Sequence, residues 1–310
     1  MEQWLSGHLA TLKPSTAHDY RYKAVHYLIP RLAHVGLREL GPLHLRTLWA
    51  DLLASGGRDG RPLSAGSVRG IQRVLRKALN DAVEWDLIAR NPAMRVKLPR
   101  ANDDAVRTWT VAEARRFLDS VEGDRLRCLW VLALTTGMRR GELAGVRWID
   151  VDLDAGTIIV RNTRVSVAHA VHEHEPKTRS SKRLIALDER TVSVLRANRR
   201  RQLEERVAWG PAYSDTGYVI TVENGEPIHP ERIGVLFQQA IRRLDLPRIR
   251  LHDLRHTSAS LLLAAGIHPK IVSERLGHSS IAVTLDLYSH VIPGLQAEAA
   301  DRLGALVFGG

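Results

Sequence analysis

Cysteine is almost missing: Cys128 is the single thiol in 310 residues. One thiol excludes a disulfide framework and a cluster of cysteine metal ligands. Its place in the apolar run 128–134 reads as a core side chain of a reducing cytosol. No apolar stretch reaches the roughly 18 residues that span a bilayer, so a membrane-embedded chain is not expected. The opening Met-Glu-Gln-Trp-Leu-Ser-Gly-His lacks a basic segment followed by an apolar core, so no secretory signal is expected and the cytoplasm is the predicted compartment. Repeats and low-complexity tracts are also lacking, which leaves out repeat arrays. Lysine is scarce, with 7 Lys against 38 Arg. A GC-rich coding bias accounts for that ratio as readily as function does.

What is present is an ordinary globular composition, 44% hydrophobic and 25% charged. At about 150 residues per domain the length suggests two domains. The formal net charge is +11 and it is unevenly spread. Residues 1–100 carry 16 basic and 8 acidic residues (+8), residues 101–310 carry 29 and 26 (+3). A surplus of this kind points to a polyanionic partner.

The first hundred residues carry helical patterns. Ser15 is placed to cap a helix bearing Tyr20, Ala24, Tyr27 and Leu28, and Pro42 to open one bearing Leu45, Leu48, Trp49 and Leu52. Ser64 caps the clearest helix, with Val68, Ile71, Leu75, Ala78, Leu79 and Ala82 at helical spacing. Arg69, Arg73, Arg76 and Lys77 lie on its opposite face as a candidate phosphate-tracking surface. Residues 91–108, with two prolines and no apolar period, read as a linker. The domain limits are set at 1–98, 99–108 and 109–310. Thr110-x-x-Glu113 is a capping box that opens the second domain. Strand periodicity then runs over 148–187, with strands at 157–161, 165–167 and 182–187. Helical patterns return over 190–207, 229–244, 252–265 and 269–276, with Gly266 and Gly277 as C-terminal caps. The predicted fold class is a mostly α domain with a small antiparallel sheet (α+β), preceded by a small all-α domain.

Four segments carry polar residues that patterning does not explain. They are Thr136-Gly-Met-Arg139-Arg-Gly-Glu142-Leu, Pro176-Lys177-Thr-Arg-Ser-Ser-Lys182-Arg, Leu251-His252-Asp-Leu-Arg255-His256, and Leu276-Gly-His278 with Tyr288 ten residues after the histidine. Phosphodiester cleavage without a metal needs fixed cations at the non-bridging oxygens, where charge builds in the transition state. Arginine suits this, since its planar fork offers paired hydrogen bonds and keeps its proton. Arg139 and Arg255 are the candidates. A tyrosine nucleophile must lose a proton at a cost of about 4 kcal/mol at pH 7, which a neighbouring base and a cationic surround offset. His252 can supply the base, and Lys177 can protonate the leaving 5′ oxygen, as an arginine cannot.

Together these segments resemble the tyrosine recombinase (phage integrase) family. Position by position, Arg139 resembles its first catalytic arginine and Glu142 the acidic residue that supports the site. Lys177 resembles the β-hairpin lysine, His252 and Arg255 the H-x-x-R pair, His278 the second histidine and Tyr288 the nucleophile, with His256 as a hydrogen-bonding support. The resemblance covers nearly the whole chain, residues 1–98 being similar to the family's helical core-binding domain. It implies a DNA-binding first domain and a site-specific recombinase that forms a 3′-phosphotyrosyl link, frees a 5′-hydroxyl and needs neither metal, ATP nor another cofactor. It further implies a homotetramer on double-stranded DNA, acting for a phage or other mobile element, with an accessory directionality factor as a possible further partner.

Several alternatives stay open. Lys182 competes with Lys177 for the lysine role. His252-Asp253-x-x-His256 also has the spacing of a zinc helix, and His169, His172 and His174 add to it, but zinc explains neither Arg139 nor Tyr288. The same residue set serves a type IB topoisomerase, and an inactive DNA-binding regulator could retain the fold. In the tail, 289–310, Leu295, Ala299, Leu303 and Leu306 recur at near-helical spacing, and we expect it to dock on a neighbouring protomer. The family's arm-binding domain is not visible before Met1, so either the chain works on simple core sites or the sequence is part of a longer one.

Overall fold

The computed structural model describes residues 1–98, 107–168, 170–174, 182–278, 280–282, 284–285 and 295–308. The chain forms two compact units, Met1–Asp104 and Ala105–Gly310. No described helix is long and apolar enough to cross a membrane.

The first unit is helical: α1 (Glu2–Leu9), α2 (Pro14–Lys23), a π-helical turn Ala24–Leu28, α3 (Ile29–Leu32), α4 (Pro42–Ser55) and α5 (Ala65–Glu84). Helix α2 starts one residue before the expected cap. Lys13 is the N-cap and Pro14 takes the first turn, where a missing N–H costs nothing. Ser64 caps α5 as expected, its hydroxyl accepting from the Ser67 amide. The apolar stripe of α5 shares one core with Trp4 of α1 and Leu45 and Trp49 of α4. The indole of Trp4 donates to Asp81 at 2.7 Å, which ties α1 to α5.

Residues 91–98 are not linker. Pro92–Arg95 form a 3-10 turn, and Ala93 and Val96 are buried in the first unit's core. Gln72 donates to the Val96 carbonyl at 3.0 Å and Arg76 to the Ala93 carbonyl at 3.2 Å. Two apolar anchors are too few to show a period, so the sequence looked structureless.

In the second unit α6 (Val111–Ser120) starts at the Thr110/Glu113 capping box. It is followed by α7 (Arg127–Thr136), α8 (Arg140–Gly145), β1 (Val151–Asp152), β2 (Thr157–Val160), β3 (Thr163–Val167), β4 (Ala170–His174) and β5 (Arg183–Ala186). Then come α9 (Glu189–Trp209), α10 (Pro230–Ile241), α11 (Asp253–Ala264), α12 (Pro269–Leu276) and a C-terminal helix, Leu295–Phe308. Helix α7 is apolar all round and buried, and Trp130 on it packs against Phe117 and Phe237, which Trp109 also contacts. Cys128 lies in the same core, where burial pushes its thiol up to about 12. Among the described residues the strands form two antiparallel sheets, ordered β1-β2-β5 and β3-β4. The sequence did not single out β1 or β4 as strands. In β2 the buried residues are Ile158 and Val160, and Val160 pairs with Arg183 of β5.

Gly137 ends α7 in the left-handed region at φ 62°, which lets the chain turn straight into α8. A Cβ there would lie 2.3 Å from Leu276 Cδ2 and 3.3 Å from Ser258 Oγ. Gly137→Ala is therefore expected to destabilise the second unit by about 1–3 kcal/mol. Denaturant unfolding reads the shift, and an unchanged midpoint would contradict it.

Candidate active site

Four separated segments converge beneath that turn. Arg139 is the N-cap of α8, and its amide donates to Glu142 at 2.8 Å, closing a local capping box. Its guanidinium donates Nη1 to Glu142 Oε1 at 2.8 Å and Nη2 to the Gly277 carbonyl at 2.9 Å. Gly277 ends α12 at φ 68°, so the left-handed cap expected there also supplies an anchor for Arg139.

Arg255, on the first turn of α11, is only 3% exposed. Its Nη1 donates to the Gly137 carbonyl at 2.7 Å, while its buried Nη2 has no partner among the described residues. Burial first, then the charge of Arg139, push its guanidinium down to about 9, against the raising effect of Glu142. A buried, underpaired cation is costly unless an anion arrives.

His252 stands at the α11 N-cap, with the His256 ring edge-on at 5.0 Å. Its outer side is open to solvent, but burial of the remainder, then His256 and Arg255, hold it down to about 4. His278 is also held down to about 4, by burial and then Arg255 and Arg139, and its Nδ1 lies 2.8 Å from the Thr284 hydroxyl. His256 is lowered chiefly by burial, and its Nδ1 has no partner among the described residues. At pH 7 these imidazoles are neutral, and each is held so partly by cations around it. Among the described residues Arg139, Arg183 and Arg255 gather around the Glu142 carboxylate, which leaves the pocket a surplus of positive charge suited to an anion.

Glu142 is the counterweight. It is 2% exposed and accepts from both Arg139 and Arg183. Burial alone would raise its carboxyl, but hydrogen bonds and charge from Arg183, then Arg139, outweigh this and hold it below the usual range. Asp253, which the zinc alternative would use as a base, is instead engaged by Arg250, whose Nε and Nη2 donate to its oxygens at 3.1 and 2.8 Å.

Arg139, Glu142, His252, Arg255, His256 and His278 thus come together. Lys177, Tyr288 and His169 lie outside the described residues. The other two histidines of the zinc alternative, His172 and His174, stack at 6.0 Å on β4. The basic face of α5 divides: Arg69 and Arg73 are exposed, whereas Arg76 bonds to backbone carbonyls and Lys77 pairs with Asp81. Sequence reasoning missed Arg183, Arg275 and Thr284. Arg275 donates to the carbonyls of Ala186 and Thr135 at 2.9 and 3.0 Å, joining α12 to β5 and α7. Arg183 was visible only as the end of the lysine segment.

The phage integrase family model matches residues 107–293, well over half of the chain. A tyrosine recombinase XerC-like protein of Caldanaerobacter subterraneus subsp. tengcongensis is 30% identical over 261 residues, covering 78% of this chain and 67% of that one. The ICEBs1 integrase of Bacillus subtilis is 29% identical over 247 residues, covering 79% and 67%. In fold, the chain is similar to the Tn1549 transposon integrase in complex with a circular intermediate DNA, with a TM-score of 0.82, 22% identity and coverage of 97% and 98%. The chain belongs to the phage integrase family. Its activity is that of a tyrosine-type site-specific DNA recombinase.

Proposed function

We propose that the chain integrates or excises a mobile element by cutting and rejoining DNA through a phosphotyrosyl link at Tyr288. The carrying observation is the buried Arg255 Nη2 without a partner among the described residues, in a pocket where Arg139, though paired with Glu142, still disfavours the charged forms of Arg255, His252 and His278, so that this Nη2 needs an acceptor. A scissile phosphate supplies it. The Tyr288 oxygen attacks phosphorus, the phenol proton passes to neutral His252, and the bond to the 5′ oxygen breaks as Lys177 protonates it. Arg139, Arg255 and His278 hold the charge on the non-bridging oxygens. A 5′-hydroxyl from a partner strand reverses the step, so no bond energy has to be supplied from outside.

Residues 1–98 act as the core-binding domain, with Arg69 and Arg73 of α5 tracking phosphates, and 109–310 as the catalytic domain. Exposed Leu303, Leu306 and Phe308 on the C-terminal helix (62%, 83% and 86%) support docking of the tail on a neighbouring protomer, in a homotetramer on double-stranded DNA. An accessory factor would set the direction. Sequencing the junctions formed between two DNA partners tests this reading. Joining at one defined sequence supports it, whereas relaxation of supercoils without exchange or sequence preference favours a nicking-closing enzyme.

Proton linkage gives a separate expectation. Free His252 and His278 titrate near 4, so both are neutral between pH 4 and the ordinary 6.5. A bound phosphodiester favours the imidazolium and raises both values, so DNA binding at pH 5.5 takes up protons and tightens as pH falls. Calorimetry in two buffers of different ionisation enthalpy should give different heats. Equal heats would contradict the placement of these rings against phosphate.

A further inference from the structure

Strand β5 reads Arg-Leu-Ile-Ala, and it buries Arg183 and Ile185 while leaving Leu184 exposed. An arginine faces inward where a leucine was available one residue on. Its Nη1 and Nη2 donate to the two oxygens of Glu142 at 3.2 and 2.9 Å, and its Nε donates to the Arg275 carbonyl at 2.6 Å. The Arg139 fork rests on Glu142 Oε1 and on the carbonyl of Gly277, two residues beyond Arg275. One guanidinium therefore grips the supports of both ends of the other.

Resting on the reading that Arg139 meets the scissile phosphate, we infer that Arg183 is a positioning residue. It fixes the plane of the Arg139 guanidinium through the Glu142 carboxylate and the last turn of α12, without touching DNA. The bidentate pair sets the carboxylate's orientation, which a point charge does not. The Nε bond sets the height of the Gly277 carbonyl. Arg139 itself is more exposed than its partners, its side chain 38% open against 3% for Glu142, so its orientation depends on those two seats. Displacing a transition-state ligand by about 1 Å can cost about a hundredfold in rate.

The test uses the full chain and a nicked duplex carrying the site mapped by junction sequencing. Arg183→Gln should slow covalent adduct formation about tenfold to a hundredfold at saturating DNA, with affinity for the duplex unchanged within about twofold. Arg183→Lys, which keeps the charge but not the fork, should lose less. In an Arg139→Lys background either change should add less than about threefold, because the residue through which Arg183 acts is already displaced. The acid limb of the rate profile should also move to higher pH. Among the described residues Glu142 is then faced by Arg139 and Arg255, so it protonates sooner. A merely structural role would lower the melting temperature, scale the rate equally at every pH and multiply with Arg139→Lys. Any of those last two results, in whichever variant folds, overturns the inference. Tyr288→Phe on the same duplex separates the two levels. Adduct surviving it defeats the phosphotyrosyl reading, whereas adduct lost there with Arg183 effects that multiply defeats only this inference.

Discussion

Replacing Arg255 by alanine is expected to slow strand cleavage about 10²–10³-fold, which is the usual loss for one buried donor aimed at developing charge. The side chain is already desolvated and clamped to the Gly137 carbonyl, so little reorganisation is needed when the phosphate becomes more negative. Arg255→Lys should recover little, because an ammonium cannot bond the carbonyl and a phosphate oxygen in the same plane. DNA affinity should change much less, since one phosphate contact among many carries a small part of the electrostatic binding. Single-turnover adduct formation at saturating DNA reads the rate. A loss confined to affinity would place Arg255 outside the reacting centre.

Glu142→Ala should cost about 3–5 kcal/mol of stability, as expected when one partner of a buried ion pair is removed and the other charge is stranded. Here two guanidiniums are left facing each other across the gap, one of them on a side chain that is 6% exposed. The pH dependence has a definite sign. The Glu142 carboxyl is depressed below 4.5, so its contribution is complete above that value and lost as pH falls through the depressed one. The difference in stability between native chain and variant should therefore shrink on acidification. Urea unfolding at pH 7 and pH 3 tests both parts, and a cost below about 1 kcal/mol at pH 7 would show that the two arginines find other partners.

Much of this architecture was legible because local signals agreed with the tertiary outcome. The Ser64 and Thr110 caps, the Pro42 start and the glycines at 266 and 277 each fix a chain direction on steric or hydrogen-bonding grounds, and packing did not override them. The residues that converge at the candidate site, Arg139, Glu142, His252, Arg255, His256 and His278, were singled out for a related reason, since their side-chain chemistry is ill suited to any structural task at that spacing. What the sequence concealed is held by tertiary contacts. Strand β4, Ala-Val-His-Glu-His, reads as polar hairpin until β3 pairs with it residue by residue. Arg183 carried no signal of its own in the sequence because its counter-charge lies 41 residues away on α8. Arg76 looked like Arg69 and Arg73, and only the fold of 91–98 gives it carbonyl partners, whereas Lys77 pairs locally with Asp81 one turn on along α5.

The convergence of Arg139, Arg255, His252 and His278 has meaning for catalysis only if the Tyr288 phenol reaches the same phosphate. A duplex nicked near the crossover, so that the cleaved end diffuses away, traps the covalent link. The native chain should accumulate protein–DNA adduct in the presence of EDTA, and Tyr288→Phe should accumulate none while still binding the duplex. Adduct that persists in Tyr288→Phe, or that EDTA abolishes in the native chain, would contradict it.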